Sequence, residues 1–346
     1  MKQSGLGLLL IFVAGAMNGS FTLPMKFTRY WVWENTWLAW TIFALGIFPV
    51  TLTLLTVPAL SQVYIHAGQG PWLLAGVFGA GWGISQVFLG LAVNELGMAL
   101  SFSVILGISA AVGSIVPLVQ LHPDDVLQRD GIMTFCGVAL VLVGVGIAAI
   151  AGRHREKALA SASIATGGGQ SSISRGLCFA TISGLGSALV NLGLAFGEPL
   201  KNAAEQLGAA ETWSPNAVWL PFMVAGGVPN LAYCIYLLRR NRTAPKFKNR
   251  GTGSYWALAA VMAFLWFGGI VIYGVGAKKM GELGPVLGWP VFMSIIVLTG
   301  TVWGIATGEW KGAGERPLWL LGLGVAVLVV AIVVLGVSSG MFGERG

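Results

Sequence analysis

Apolar residues run along this chain in ten nearly unbroken stretches of about 20, each bounded by charges, Pro-Gly pairs or tryptophans. Read as helices, they lie near 5–24, 36–59, 72–93, 98–119 and 131–151, and again near 176–197, 217–238, 254–276, 284–306 and 317–338. A helix of 20 residues is about 30 Å long, the thickness of a bilayer's hydrocarbon core. The stretches are apolar all round, with no period-2 alternation, so a membrane β-barrel is excluded. The expectation is an all-α polytopic membrane protein.

Composition agrees with this reading. Of 346 residues, 55% are hydrophobic and 10% charged, against roughly 25% charged in an average soluble chain. The formal net charge of +7 is carried between the apolar stretches, so it reports membrane orientation and not a nucleic-acid partner. Most basic residues, among them Lys26, Arg153, Arg155, Arg239, Arg240 and Lys246, follow spans 1, 3, 5, 7 and 9. Positive loops stay in the cytoplasm. Both termini are therefore expected in the periplasm and the protein in the inner membrane. Met1-Lys2 and Ala14-Gly15-Ala16 imitate a signal peptide, but this segment is read as an uncleaved span because it has a counterpart later in the chain.

That counterpart emerges when the two halves are compared. Trp82, Gly90 and Gly97 recur with the same spacing as Trp266, Gly274 and Gly281. Gly7, Gly15 and Pro24-Met25-Lys26 are matched by Gly176, Gly184 and Pro199-Leu200-Lys201. Trp37, Gly46 and Pro49 stand against Trp219, Gly227 and Pro229, and Gly137-Val-Ala-Leu against Gly324-Val-Ala-Val. Five spans per repeat is an odd number, so the second copy enters the membrane from the opposite face. The pattern predicts two inverted five-helix repeats, 1–151 and 176–346, joined by a flexible cytoplasmic linker at 152–175. Such symmetry serves alternating access around a midplane site.

Polar groups inside a bilayer are costly, so they are the first functional candidates. Asn18, Ser20, Gln86, Asn191, Asn230 and Tyr273 fall within spans; each also has a plainer use as a hydrogen-bonding tie between helices. Trp82 and Trp266 lie mid-span, away from the interfacial belts, and with Trp289 they could wall a cavity. An indole face suits the C–H face of a sugar ring. A proton-coupled carrier would need a titrating group in its path; no carboxylate lies mid-span, and the candidates Glu34, Glu95 and Glu198 at helix ends each read also as an interfacial charge. Lys26 reads as a snorkelling anchor, with Glu34 as its alternative partner. Cys136, Cys178 and Cys234 have no paired spacing, and there is no P-loop, metal-ligand pattern or nucleophile constellation. No enzyme activity, cofactor or metal is expected.

Three stretches carry a family likeness: Trp31-Val-Trp33-Glu34-Asn35-Thr36-Trp37; Phe78-Gly-Ala-Gly-Trp82-Gly with Leu96-Gly97-Met98; and Gly308-Glu309-Trp310-Lys-Gly312-Ala-Gly314-Glu-Arg316-Pro317. They resemble the L-rhamnose-proton symporter family of the drug/metabolite transporter superfamily. The resemblance implies a ten-helix inverted-repeat fold and import of L-rhamnose or a related small sugar with protons. It marks Glu34, Trp37, Trp82, Trp266, Tyr273, Trp289 and Ser294 as family-like positions. Spans 8 and 9 depart from that pattern in being glycine-rich and apolar, at Gly268-Gly269 and Leu283–Gly288, which leaves the particular sugar open. The expected partners are a small sugar, the proton and the lipid bilayer. The alternatives are an exporter or exchanger of another small metabolite and, in a different class, a non-transporting membrane sensor or assembly protein.

Overall fold

The computed structural model describes residues 2–162, 172–249 and 251–338, and all its regular structure is helical. Ten helices are long and apolar enough to cross a membrane. Spans 1 to 5 are Ser4–Phe27, Trp33–Thr56, Gln69–Leu96, Met98–Leu121 and Arg129–Ala158; spans 6 to 10 are Ile173–Gln206, Asn216–Arg240, Gly253–Lys279, Gly284–Ala306 and Glu315–Val337. Each coincides with one of the apolar stretches.

The differences lie where polar sequence proves helical. The fifth helix runs on to Ala162, so the first part of the expected flexible linker is rigid. Arg153 to Ala160 are nearly all good helix formers, and the extension is anchored: the Ala99 backbone N–H donates to Glu156 at 3.2 Å and Arg155 donates to Glu309 at 3.2 Å. The linker's glycine run, 167–169, lies outside the described residues. Span 6 breaks at Gly197. Its membrane part ends at Phe196, and Pro199, which lacks an N–H and is tolerated in a first turn, starts a separate short helix, Glu198–Gln206. That helix buries Leu200, Ala203 and Ala204 against a second short helix, Leu60–Ala67. Both short helices lie between apolar stretches, where the pattern suggested only loops.

Lipid tails are as apolar as leucine, so helix association in a membrane rests on close packing rather than on hydrophobic expulsion. Leu54, Leu55, Val77, Phe264 and Val302 accordingly face outward, and small residues fill the contacts between helices. Span 1 packs on spans 8 and 9, span 6 on spans 3 and 4, span 5 on span 10, and span 7 on span 3. Their shared core is dominated by Trp40, Trp82, Trp219, Trp266, Tyr273 and Trp289.

Candidate functional site

With ten alternating spans, one end of the bundle carries the loops after spans 1, 3, 5, 7 and 9, and the other carries the loops after spans 2, 4, 6 and 8. A cavity of about 850 Å³ opens at the second end. Its wall includes Pro117, His122, Glu198, Lys201, Lys278 and Pro285, from spans 4, 6, 8 and 9 and the loops beside them. The break after Phe196 places Lys201 there. Its residue is only 6% exposed, whereas the side chain of its ion-pair partner Glu198 is 54% exposed. A buried ammonium requires such a partner, because desolvation penalises the charge. Lys278 is paired with Glu205, which also accepts from Ser214 Oγ at 2.7 Å. The wall carries two lysines, Lys201 and Lys278, against three carboxylates, Glu198, Glu211 and Glu282.

One turn deeper the spans are tied by a polar and aromatic cluster. Tyr273 donates its hydroxyl to Asn191 Oδ1 at 2.5 Å, and Asn191 Nδ2 donates to the carbonyls of Gly113 at 2.7 Å and Pro285 at 2.9 Å. Trp289 Nε1 donates to the Ser109 carbonyl at 2.9 Å, and its ring meets that of Tyr273 at 5.3 Å. Spans 4, 6, 8 and 9 therefore converge on this cluster, about one turn from Pro117, Leu194 and Pro285 of the cavity wall.

At mid-depth Trp82 and Trp266 stack, with centroids 5.3 Å apart and planes at 27°. The sequence leaves open whether these rings wall a cavity or pack between helices. Each covers the face of the other, and both are buried. Asn18 Nδ2 donates to the Trp266 carbonyl at 3.1 Å. Asn230 accepts from Trp37 Nε1 at 3.2 Å and returns a bond to the Gly226 carbonyl. Two candidates stand apart from these groups: Ser20 bonds its own helix at Ala16 and accepts from Trp303 Nε1, and half-buried Gln86 donates to its neighbour Ser85 Oγ at 3.5 Å. Ser294 Oγ is turned back to the Pro290 carbonyl.

At the first end two cations share one carboxylate. Lys26 Nζ donates to Glu309 Oε1 at 2.6 Å and to Thr307 Oγ1 at 2.7 Å, so its partner is not Glu34. Arg155 bonds the other oxygen of Glu309 and lies over the Trp310 ring at 5.1 Å. The Lys26 hydrogen bond above all, then the charges of Lys26 and Arg155, hold the Glu309 carboxyl below the usual carboxylate range. Glu34, 6% exposed, accepts from Asn241 at 3.0 Å and Thr243 at 2.8 Å, and Glu95 pairs with Arg175 at 2.5 Å. Of the three proton-coupling candidates only Glu198 lines the cavity. Lys201, Glu205 and Lys278 escaped sequence reading because each resembles an interfacial charge, although the repeat match of Lys26 with Lys201 carried a signal. Among the described residues no group of three or more potential ligands is placed to hold a metal.

The profile of the L-rhamnose-proton symport protein (RhaT) family matches residues 2–341. The chain is 27% identical to an L-rhamnose-proton symporter of Citrobacter koseri over 346 residues, covering 96% of this chain and 97% of the relative. It is 28% identical to symporters of the same name from Salmonella paratyphi A and Salmonella typhimurium over 349 residues, covering 96% of this chain and 98% of each relative.

Proposed function

The chain belongs to the L-rhamnose-proton symport protein family, and on that premise we propose that it is an inner-membrane carrier that imports L-rhamnose or a related small sugar with protons by alternating access. One observation carries the mechanism: a cavity of about 850 Å³ opens at one end while Lys26, Glu309 and Arg155 latch the other. A path open to a single side is what a carrier needs and a channel lacks. The positive-inside rule makes the open side periplasmic, with both termini on that side.

Helix packing supports an inverted repeat. A β-carbon added at Gly15 would stand 2.6 Å from Ile295 of span 9, and one at the matched Gly184 would stand 2.8 Å from Ile108 of span 4. Likewise Gly7 abuts Met280 at the end of span 8, and Gly176 abuts Leu96 at the end of span 3. Matched glycines thus receive matched partners, as expected if residues 1–151 and 176–346 are copies hinged about a common centre.

In this reading sugar enters past Glu198 and Lys201 and reaches the layer of Asn191, Tyr273 and Trp289, beyond which Trp82, Trp266 and Asn18 lie at mid-depth. Of the three helix-end candidates Glu198 is the one at the cavity, where a proton from outside would meet it; Ser20, Gln86, Glu34 and Glu95 serve structure. Purified protein in liposomes, assayed for uptake of a pentose and hexose panel with and without an inward proton gradient, tests this. Accumulation of a deoxyhexose that collapses without the gradient is expected. Absence of uptake for every sugar would overturn it.

A further inference from the structure

Six rings from spans 2, 3, 7 and 8 form one continuous chain through the closed core. Trp37 meets Trp40 at 4.5 Å, Trp40 meets Trp266 at 5.2 Å, Trp266 stacks on Trp82 at 5.3 Å, Trp82 meets Phe222 at 6.1 Å, and Phe222 meets Trp219 at 6.1 Å. The order is itself a repeat. Trp37 matches Trp219 and Trp266 matches Trp82, and Trp40 and Phe222 each stand three residues beyond their matched tryptophan. The stacked pair is the centre, with one arm toward each end of the bundle.

Packing alone accounts for rings in contact but not for their polar atoms. Buried indoles ordinarily find an acceptor, and in this core Trp37 and Trp289 do so, at Asn230 and the Ser109 carbonyl. Among the described residues Trp40 Nε1 and Trp219 Nε1 find no partner, at 1% and 0% residue exposure. An unpaired buried donor costs about 1–3 kcal/mol, and here one stands on each arm. Trp31 Nε1 is also unpaired, but its ring sits against Phe247, Tyr255 and Trp256, outside the chain. The helix that carries Trp40 turns π-helical, Ile42–Ile47, almost at once after it, and Pro221, which has no N–H to give its helix, lies two residues after Trp219. Such irregular turns give a helix room to shift, and π-turns gather at functional sites.

We infer that this aromatic chain is a two-armed sugar track, in which Trp219 Nε1 on the outer arm and Trp40 Nε1 on the inner arm each donate to a sugar hydroxyl when that arm opens. The inference rests on the sugar-transport reading above and adds the residues that set specificity. A deoxysugar suits such a track: its C–H faces lie on the rings, and its few hydroxyls need few donors. The closed chain holds two unmet donors, so bonding a sugar hydroxyl repays a cost already incurred. Trp219 belongs to the outer arm because its indole nitrogen lies beside Gly274, which with its neighbour Pro215 is part of the cavity wall.

The test uses the full chain in liposomes, with Trp40→Phe and Trp219→Phe, which keep a ring and remove the N–H, assayed on L-rhamnose and its monodeoxy analogues. Trp219→Phe is expected to raise the uptake KM about tenfold with little change in efflux KM, and Trp40→Phe to do the reverse; one hydrogen bond near 1.4 kcal/mol corresponds to that factor. For each variant the penalty should fall below about twofold on the one analogue that lacks the bonded hydroxyl. KM is independent of the amount of folded protein, so a poorly expressed variant still reports. KM values equal to the parent's, or a penalty equal on every analogue, would overturn the track while leaving sugar transport standing. Failure of the unaltered protein to move any sugar overturns both.

Discussion

Lys26 and Glu309 lie 2.6 Å apart although 283 residues separate them, joining the end of span 1 to the loop after span 9. Arg155, from the extension of span 5, holds the second oxygen of the same carboxylate. Three spans are thereby clasped at the end opposite the cavity. Both partners of the Lys26 pair are more than two-fifths exposed, so solvent screens it, and such pairs contribute at most about 1 kcal/mol.

Loss of the clasp should bias the carrier toward opening on the cytoplasmic side. Lys26→Ala or Glu309→Gln is expected to raise the KM for external sugar by up to about fivefold, the factor equivalent to 1 kcal/mol. The reversed pair, Lys26→Glu with Glu309→Lys, should recover part of the loss. A tenfold or larger effect of either single change would mean that the contact does more than latch.

The same carboxylate gives a pH prediction. Its pKa in the folded protein is lowered from 4.5, so the pair's contribution is fully present above that value and is lost only as pH falls through the depressed pKa. The clasp therefore stays charged from pH 5 to 8. Uptake by Glu309→Gln should keep the midpoint of the parent's pH profile across that range, changing in amplitude alone. A shifted or flattened profile would assign proton coupling to Glu309.

The Asn191 amide ties three helices to its own. Asn191→Leu leaves the Tyr273 hydroxyl and the carbonyls of Gly113 and Pro285 without their partner. Membrane hydrogen bonds average about 0.6 kcal/mol and reach about 1.7, so roughly 2–5 kcal/mol should be lost. Tyr273→Phe breaks one bond and should cost about a third as much. Thermal unfolding in detergent checks both, and equal losses would contradict this ledger.

At the cavity wall the two members of an ion pair should respond unequally. Glu198→Gln leaves the buried Lys201 ammonium without its nearest counter-charge, a change that costs about 3–5 kcal/mol when a pair is truly buried. Lys201→Met leaves a carboxylate that is more than half exposed and that water can solvate, at a cost below about 1 kcal/mol. A larger fall in Tm for Glu198→Gln than for Lys201→Met is expected, and the opposite order would show that Lys201 stabilises by packing.

Sequence alone determined the membrane setting and all ten spans, because backbone in lipid must close its own hydrogen bonds in helices or barrels, and continuous apolar stretches of about 20 fit only the helix. It also singled out Trp82, Trp266, Asn191 and Tyr273, since mid-span indoles and amides are too costly to be incidental. Tertiary structure decided their relations. Trp82 and Trp266 cover one another instead of facing a cavity, and Asn191 spends its amide on Tyr273 and two carbonyls. Lys26 chose Glu309 over the nearer-in-sequence Glu34, which is held by Asn241 and Thr243. Lys201 became a cavity residue only through the break at Gly197. Hydrophobic length is written residue by residue along the chain, whereas a partner for a charge or an amide depends on which helices lie side by side, and that is set by packing across the whole bundle.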